Sequence, residues 1–95
     1  MLTVQNIKEA ITGKDATEQL QILAAMLETH SVATPAERSL IYAERGKILW
    51  ALGRRGESIS AYEKGARLDP DGPAALLLEH TRSIMDFFNP DLLNP

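Results

Sequence analysis

Residues 36–70 read AERSLIYAERGKILWALGRRGESISAYEKGARLDP. Four apolar residues in the first half of this segment fall near one face of a helix: Leu40, Ala43, Leu49 and Leu52. Gly46 lies inside that helix, where glycine costs up to about 1 kcal/mol relative to alanine, so we expect it to permit close approach by another helix. The second half repeats the pattern at Ile59, Ala61, Tyr62 and Ala66. A turn at residues 53–56 separates the halves, so the segment predicts two helices packed against each other.

The same signals predict five helices in the whole chain, at residues 3–12, from the cap at Asp15 to Glu28 or Thr29, and at 35–52, 57–68 and 73–88. Thr3, Asp15 and Thr34 stand where N-cap residues are expected, and Gly13 and Gly53 stand where helices end. The predicted apolar face of the second helix is Leu20, Leu23, Ala24 and Leu27. The broader apolar face of the fifth helix is Ala74, Leu77, Leu78, Thr81, Ile84, Met85 and Phe88. The sequence therefore predicts an all-α domain.

Composition and charge exclude several classes of protein. The 95 residues include 10 lysines and arginines against 13 aspartates and glutamates, a formal net charge of −3. These cations are scattered, and a nucleic-acid surface needs them clustered, so we expect no nucleic-acid partner. The sequence has no cysteine, which fits a reducing compartment, and no segment approaches a membrane span. We expect a cytoplasmic protein that does not associate with membranes.

The helices also form a repeat. When Leu20 is aligned with Ile59, Leu23 meets Tyr62 and Leu27 meets Ala66, so the second and fourth helices correspond. Helix pairs of this kind cannot bury their apolar faces alone and stack on their neighbours.

Residues 36–70 resemble the tetratricopeptide repeat family, whose repeat is about 34 residues long. The resemblance rests on the aromatic, small, apolar and terminal proline positions of the family pattern: Tyr42, Gly46, Gly53, Ile59, Tyr62, Leu68 and Pro70. Arg45 departs from it where leucine is usual, and Ser58 and Gly65 depart where alanine is usual. Residues 71–95, with DGPAA followed by IMDFFNPD, are similar to the ending of small stand-alone tetratricopeptide proteins of Bacteroidetes-type bacteria.

The resemblance implies one domain over residues 1–95 that forms a short right-handed superhelix of five helices. Its parts are a degenerate first repeat (1–35), a central repeat (36–72), a capping helix (73–88) and a tail (89–95). The family binds peptides or proteins without catalysis, so the expected function is a scaffold for protein binding, with no enzymatic activity and no cofactor. The first, third and fifth helices would line a shallow groove, and the residues expected to contact a partner are Leu40, Ala43, Lys47, Trp50 and Leu77.

Two features of the groove have alternative interpretations. Trp50 either anchors a peptide, as aromatic residues often do at interfaces, or packs against the first or fifth helix. Lys47, Arg54 and Arg55 either capture a carboxylate or acidic peptide or form a solvated helix end and turn.

The C-terminal apolar residues exceed what five helices normally cover: Leu76, Phe87, Phe88, Leu92 and Leu93. Either the tail folds back onto the helices, or these residues form a patch for a homodimer or a partner. The only histidines, His30 and His80, have no second ligand at metal-binding spacing, so we expect no metal site.

Overall fold

The computed structural model describes residues 2–29 and 34–87. This part of the chain forms five helices and no strands: α1 Val4–Ile11, α2 Ala16–Thr29, α3 Pro35–Ala51, α4 Arg55–Leu68 and α5 Pro73–Phe87. The predicted all-α class and the number of helices are confirmed, and α4 begins two residues earlier than predicted.

Local capping explains where the helices start. Thr3 forms a capping box with Asn6 at the start of α1, and Thr34 forms one with Glu37 at the start of α3. The Asp15 carboxylate accepts a hydrogen bond of 2.9 Å from the backbone N–H of Glu18. These bonds use N–H groups that have no partner within the helix. The predicted N-caps are therefore correct.

Two of the helices, α1 and α3, are each followed by a glycine with positive φ. Gly13 follows α1 with φ +80° and Gly53 follows α3 with φ +79°, a backbone region that favours glycine. The α3–α4 turn is consequently short, and its two helices run antiparallel. Position 46 of α3 lies against position 58 of α4, whereas position 39 lies against position 65.

Each helix contacts only helices that are near it in the chain. In the described part of the chain α3 is central and contacts the other four, α1 contacts α2, and α4 contacts α5. The helices α2 and α4 do not contact each other, nor do α1 and α5.

Two connected regions make up the core. Four buried side chains fill the space between α1, α2 and α3: Ile7, Ile11, Leu23 and Ile41. Between α3, α4 and α5 the buried apolar side chains are Leu49, Ala61, Tyr62, Ala74 and Leu78. The second region also buries two serine hydroxyl groups. Ser58 donates to the carbonyl of Gly46 at 2.6 Å, and Ser39 donates to the carbonyl of Gly65 at 2.7 Å, so neither hydroxyl is buried without a partner.

Some predicted core positions were wrong. Leu52 is 47% exposed because it caps α3 after the last helical turn. Ala24 is exposed because it lies about 100° around α2 from the buried Leu23. Met85, in the last turns of α5, is 37% exposed. Ile41, which we did not assign to the apolar face of α3, is fully buried against α1 and α2.

Candidate functional site

The predicted groove residues of α3 lie on one side of that helix. Leu40, Ala43, Lys47 and Trp50 follow one another at intervals of three or four residues, which brings them to one face. The helix α3 contacts both α1 and α5, and those two helices do not contact each other.

The apolar residues of this face differ in how much surface they offer. Leu40 is half-buried and packs against the core of α1, α2 and α3. Ala43 is only 2% exposed, so its methyl group belongs to the core and cannot serve as a partner contact. Leu77 of α5 is half-buried. The expectation for Ala43 is therefore corrected, and four of the five groove residues retain accessible surface.

Lys47 is exposed and forms an ion pair with Glu44, one turn earlier on α3. The ammonium nitrogen lies 2.7 Å from the Glu44 carboxylate oxygen. Glu44 is itself buried, at 6% exposure, and this pairing compensates its charge. Lys47 therefore has a structural role, as the ion-pair partner of Glu44, whether or not a partner binds.

Trp50 is half-buried, and the guanidinium carbon of Arg55 lies 4.9 Å from its ring centroid. This distance is within the range of a cation–π interaction. The neighbouring Arg54 forms an ion pair with Glu57 at 2.5 Å. The residues of the predicted basic cluster, Lys47, Arg54 and Arg55, thus each have a partner of their own, which favours the structural interpretation of the cluster.

The proposed self-association residues are only partly within the described chain. Leu76 is 67% exposed on α5. Phe87 ends α5, but its side chain lies outside the described residues, as do the predictions for Phe88, Leu92 and Leu93.

A second polar site was not predicted. It is a recess between α3 and α4 with a volume of about 210 Å³, lined by Tyr42, Arg45, Glu57, Ser60, Ala61 and Lys64. Within each helix these residues recur every three or four positions, but which helix faces meet depends on tertiary packing. Helical periodicity alone could not have identified the recess.

Two further properties concern ions and membranes. His30 lies outside the described residues and His80 is exposed on α5. Within residues 2–29 and 34–87, histidine, aspartate and glutamate side chains do not gather in groups of three or more that could hold a metal ion. None of the described helices has the length and apolar character needed to cross a membrane.

Comparisons of the chain with protein-family models, with curated proteins and with solved structures found no match.

Proposed function

We propose that this protein is a tetratricopeptide-like scaffold that binds a peptide or protein partner, without catalysis, in the groove formed by α1, α3 and α5. The observation that carries this proposal is the position of α3, which contacts both α1 and α5 while those helices stay apart. A central helix between two separated helices leaves a concave strip along its own face. Stacked helix pairs use such surfaces for binding.

The packing of small residues supports the assignment to a helical-repeat fold. Gly46 lies against the ring of Tyr62, and Gly65 lies against the methyl group of Ala74. Glycine therefore occurs at a contact of α4 with α3 and at a contact of α4 with α5, where a Cβ atom would collide with the neighbouring helix. The aligned positions Leu23 and Tyr62 are also both buried, at 0% and 3% exposure, which is consistent with a repeated unit.

The groove offers mixed chemistry. Leu40 and Leu77 provide apolar surface, Trp50 provides an aromatic surface partly covered by Arg55, and Lys47 provides a cation shared with Glu44. The helices that hold these residues pack against one another without a partner, so binding would require little ordering of the backbone and a small entropic cost. A peptide with an apolar or aromatic anchor matches this surface best.

Affinity capture with quantitative mass spectrometry tests the proposal. The tagged protein is compared with Trp50→Ala and Leu77→Ala, and Lys14→Ala serves as control because Lys14 is exposed in the α1–α2 turn. We expect the same partners to be lost from both groove variants and kept by the control, with the helical circular dichroism signal unchanged. Capture that is equal in all four proteins would contradict the groove assignment.

Self-association through α5 is the second candidate, and the 67% exposure of Leu76 favours it. Light scattering coupled to size exclusion would compare the protein with Leu76→Lys, and with Leu52→Lys as a control at another exposed leucine. A dimer that only Leu76→Lys dissociates would support this candidate, and a monomeric parent protein would remove it.

The cysteine-free composition supports a cytoplasmic location, which we include in the proposal.

A further inference from the structure

The recess between α3 and α4 lies on the other side of α3 from the groove. Arg45 lines the recess, and Lys47 lies on the groove face. Two residues that are two positions apart on a helix point about 200° away from each other. A ligand in the recess would therefore not compete directly with a partner in the groove.

The recess is accessible because one helix contact is missing. The helix α2 contacts α3 but does not reach α4, so the side of α4 that faces away from α5 is left uncovered in the described structure. Ser60 and Lys64 of this side are exposed, while Ala61 beneath them is buried. The result is a polar recess with a closed apolar floor.

Among the described residues, two cations that line this recess, Arg45 and Lys64, form no ion pair with a carboxylate. The ion pairs among the described residues are Lys47–Glu44, Arg54–Glu57 and Arg82–Glu63, and none of them includes Arg45 or Lys64. The recess does contain one carboxylate, that of Glu57, but Arg54 holds it at 2.5 Å. The lining therefore has an excess of positive charge in a protein whose formal net charge is −3.

The positions of the lining groups favour a compact anion with several oxygens. The Lys64 ammonium lies 6.0 Å from the centroid of the Tyr42 ring, which keeps it over the recess. Arg45 is half-buried, and its planar guanidinium group can offer two parallel N–H donors to an oxyanion. Tyr42 and Ser60 add hydroxyl groups that can donate further hydrogen bonds.

We propose that this recess binds a phosphate group. Arg45 and Lys64 bring two positive charges to the recess, and Arg54, just outside it, offsets the charge of Glu57. The remaining charge matches that of a phosphate monoester, which is about −1.5 to −2 at pH 7, better than the single charge of a carboxylate. The volume of about 210 Å³ accommodates one such group with its bridging atoms. Arg45 would bind two phosphate oxygens, Lys64 would bind the third as a point charge, and Ser60 would donate to one of them.

The test is an NMR titration of the ¹⁵N-labelled protein at constant ionic strength. The probes are inorganic phosphate, a short phosphoserine peptide, and the same peptide with glutamate in place of phosphoserine. We expect saturable shifts of amide signals confined to residues 42–45 and 57–64 with the first two probes. Tighter binding of the phosphopeptide than of inorganic phosphate would identify a polypeptide as the source of the phosphate.

Four variants make the result specific. Lys64→Gln should weaken binding by about tenfold, the effect of losing one charge-assisted hydrogen bond, and Arg45→Gln, which removes two such bonds, should weaken it by more than about tenfold. Lys14→Gln in the α1–α2 turn and Arg67→Gln near the end of α4 are the controls and should leave the affinity unchanged, because both side chains are exposed away from the recess. Lys64 is exposed, so its variant will fold even if Arg45→Gln does not.

Three results would overturn the proposal. They are shifts no larger than those caused by sodium chloride, an equal affinity for the glutamate peptide, and equal weakening by Lys64→Gln and Arg67→Gln. The titration does not depend on the groove, so it can succeed where the capture experiment fails, and the reverse also holds.

Discussion

The aromatic ring of Tyr62 covers the backbone of Gly46. A Cβ atom added to this glycine would lie 2.5 Å from Cδ1 and 2.8 Å from Cζ of the tyrosine, closer than carbon atoms can approach without displacement. Ser58, one turn before Tyr62, hydrogen-bonds to the carbonyl of the same glycine. The α3–α4 interface therefore depends on a position that has no side chain.

The first prediction concerns Gly46→Ala, which should lower the free energy of unfolding by about 1–2 kcal/mol because the ring of Tyr62 has to move. Gly46→Leu should cost up to about 3 kcal/mol for the same reason. The matched control is Gly56→Ala, also in a helix, where nothing lies within 4 Å of the added Cβ. The free energy of unfolding of Gly56→Ala should rise by up to about 1 kcal/mol, because alanine has a higher helix propensity than glycine. The urea unfolding midpoints of Gly46→Ala and Gly56→Ala measure these changes. Equal changes at the two glycines would contradict the contact between Gly46 and Tyr62.

The second prediction concerns the α4–α5 interface. A Cβ on Gly65 would lie 2.5 Å from the Cβ of Ala74, so Gly65→Ala should cost about 1–3 kcal/mol. Ala74→Gly alone should cost about 1 kcal/mol through lower helix propensity. The free energy of unfolding of the double variant should fall by less than the sum of the two single effects. The difference should be at least about 0.5 kcal/mol, because the double variant removes this clash. Strict additivity would indicate that the two positions are not in contact.

The third prediction concerns pH. The pKa of Glu37 is lowered from its usual value of 4.5, mainly by the hydrogen bond from the backbone N–H of Leu2 and then by the bonds from Thr34. A lowered pKa in the folded state means that the contribution to stability is complete above about pH 4.5 and is lost as the pH falls through the folded-state value. The melting temperature of the parent protein should therefore fall more between pH 7 and pH 3 than that of Glu37→Gln. Glu28→Gln controls for the loss of one carboxylate, and parallel curves for parent and Glu37→Gln would refute the prediction.

The fourth prediction uses Trp50, the only tryptophan of the sequence, as a fluorescence probe. Arg55 lies over its ring at 4.9 Å, so Arg55→Ala should increase quenching of the fluorescence by acrylamide. Arg54→Ala removes the adjacent arginine, which pairs with Glu57 instead, and should leave quenching unchanged. Equal acrylamide quenching of Trp50 fluorescence in the two variants would disprove the contact between Arg55 and Trp50.

The helix boundaries were predictable because their signals are local. Thr3, Asp15 and Thr34 each bond to a backbone N–H three residues later, and such spacing is visible in the sequence. The start of α4 was less predictable because Arg54, at its N-cap, makes no side-chain capping bond. The wrong assignments of Leu52 and Ala24 have a similar origin, since periodicity gives a face but not how far a neighbouring helix covers it.

The candidate sites were less predictable than the helices. The face of α3 with Lys47 and Trp50 followed from spacing, but the pairing of Lys47 with a buried Glu44 and the covering of Trp50 by Arg55 required coordinates. The recess at Arg45 and Lys64 depends on α2 not reaching α4. The sequences of α2 and α4 do not show whether these two helices contact each other.

The restriction of contacts to helices near one another in the chain also has a kinetic consequence. The interfaces form between successive helices or between a helix and the next but one, so folding closes only short loops and the loop-closure entropy before the transition state is small. Helical proteins with such low contact order refold in microseconds to milliseconds. Dilution from urea in a stopped-flow instrument, followed by the fluorescence of Trp50, should therefore show a main phase that is complete within milliseconds.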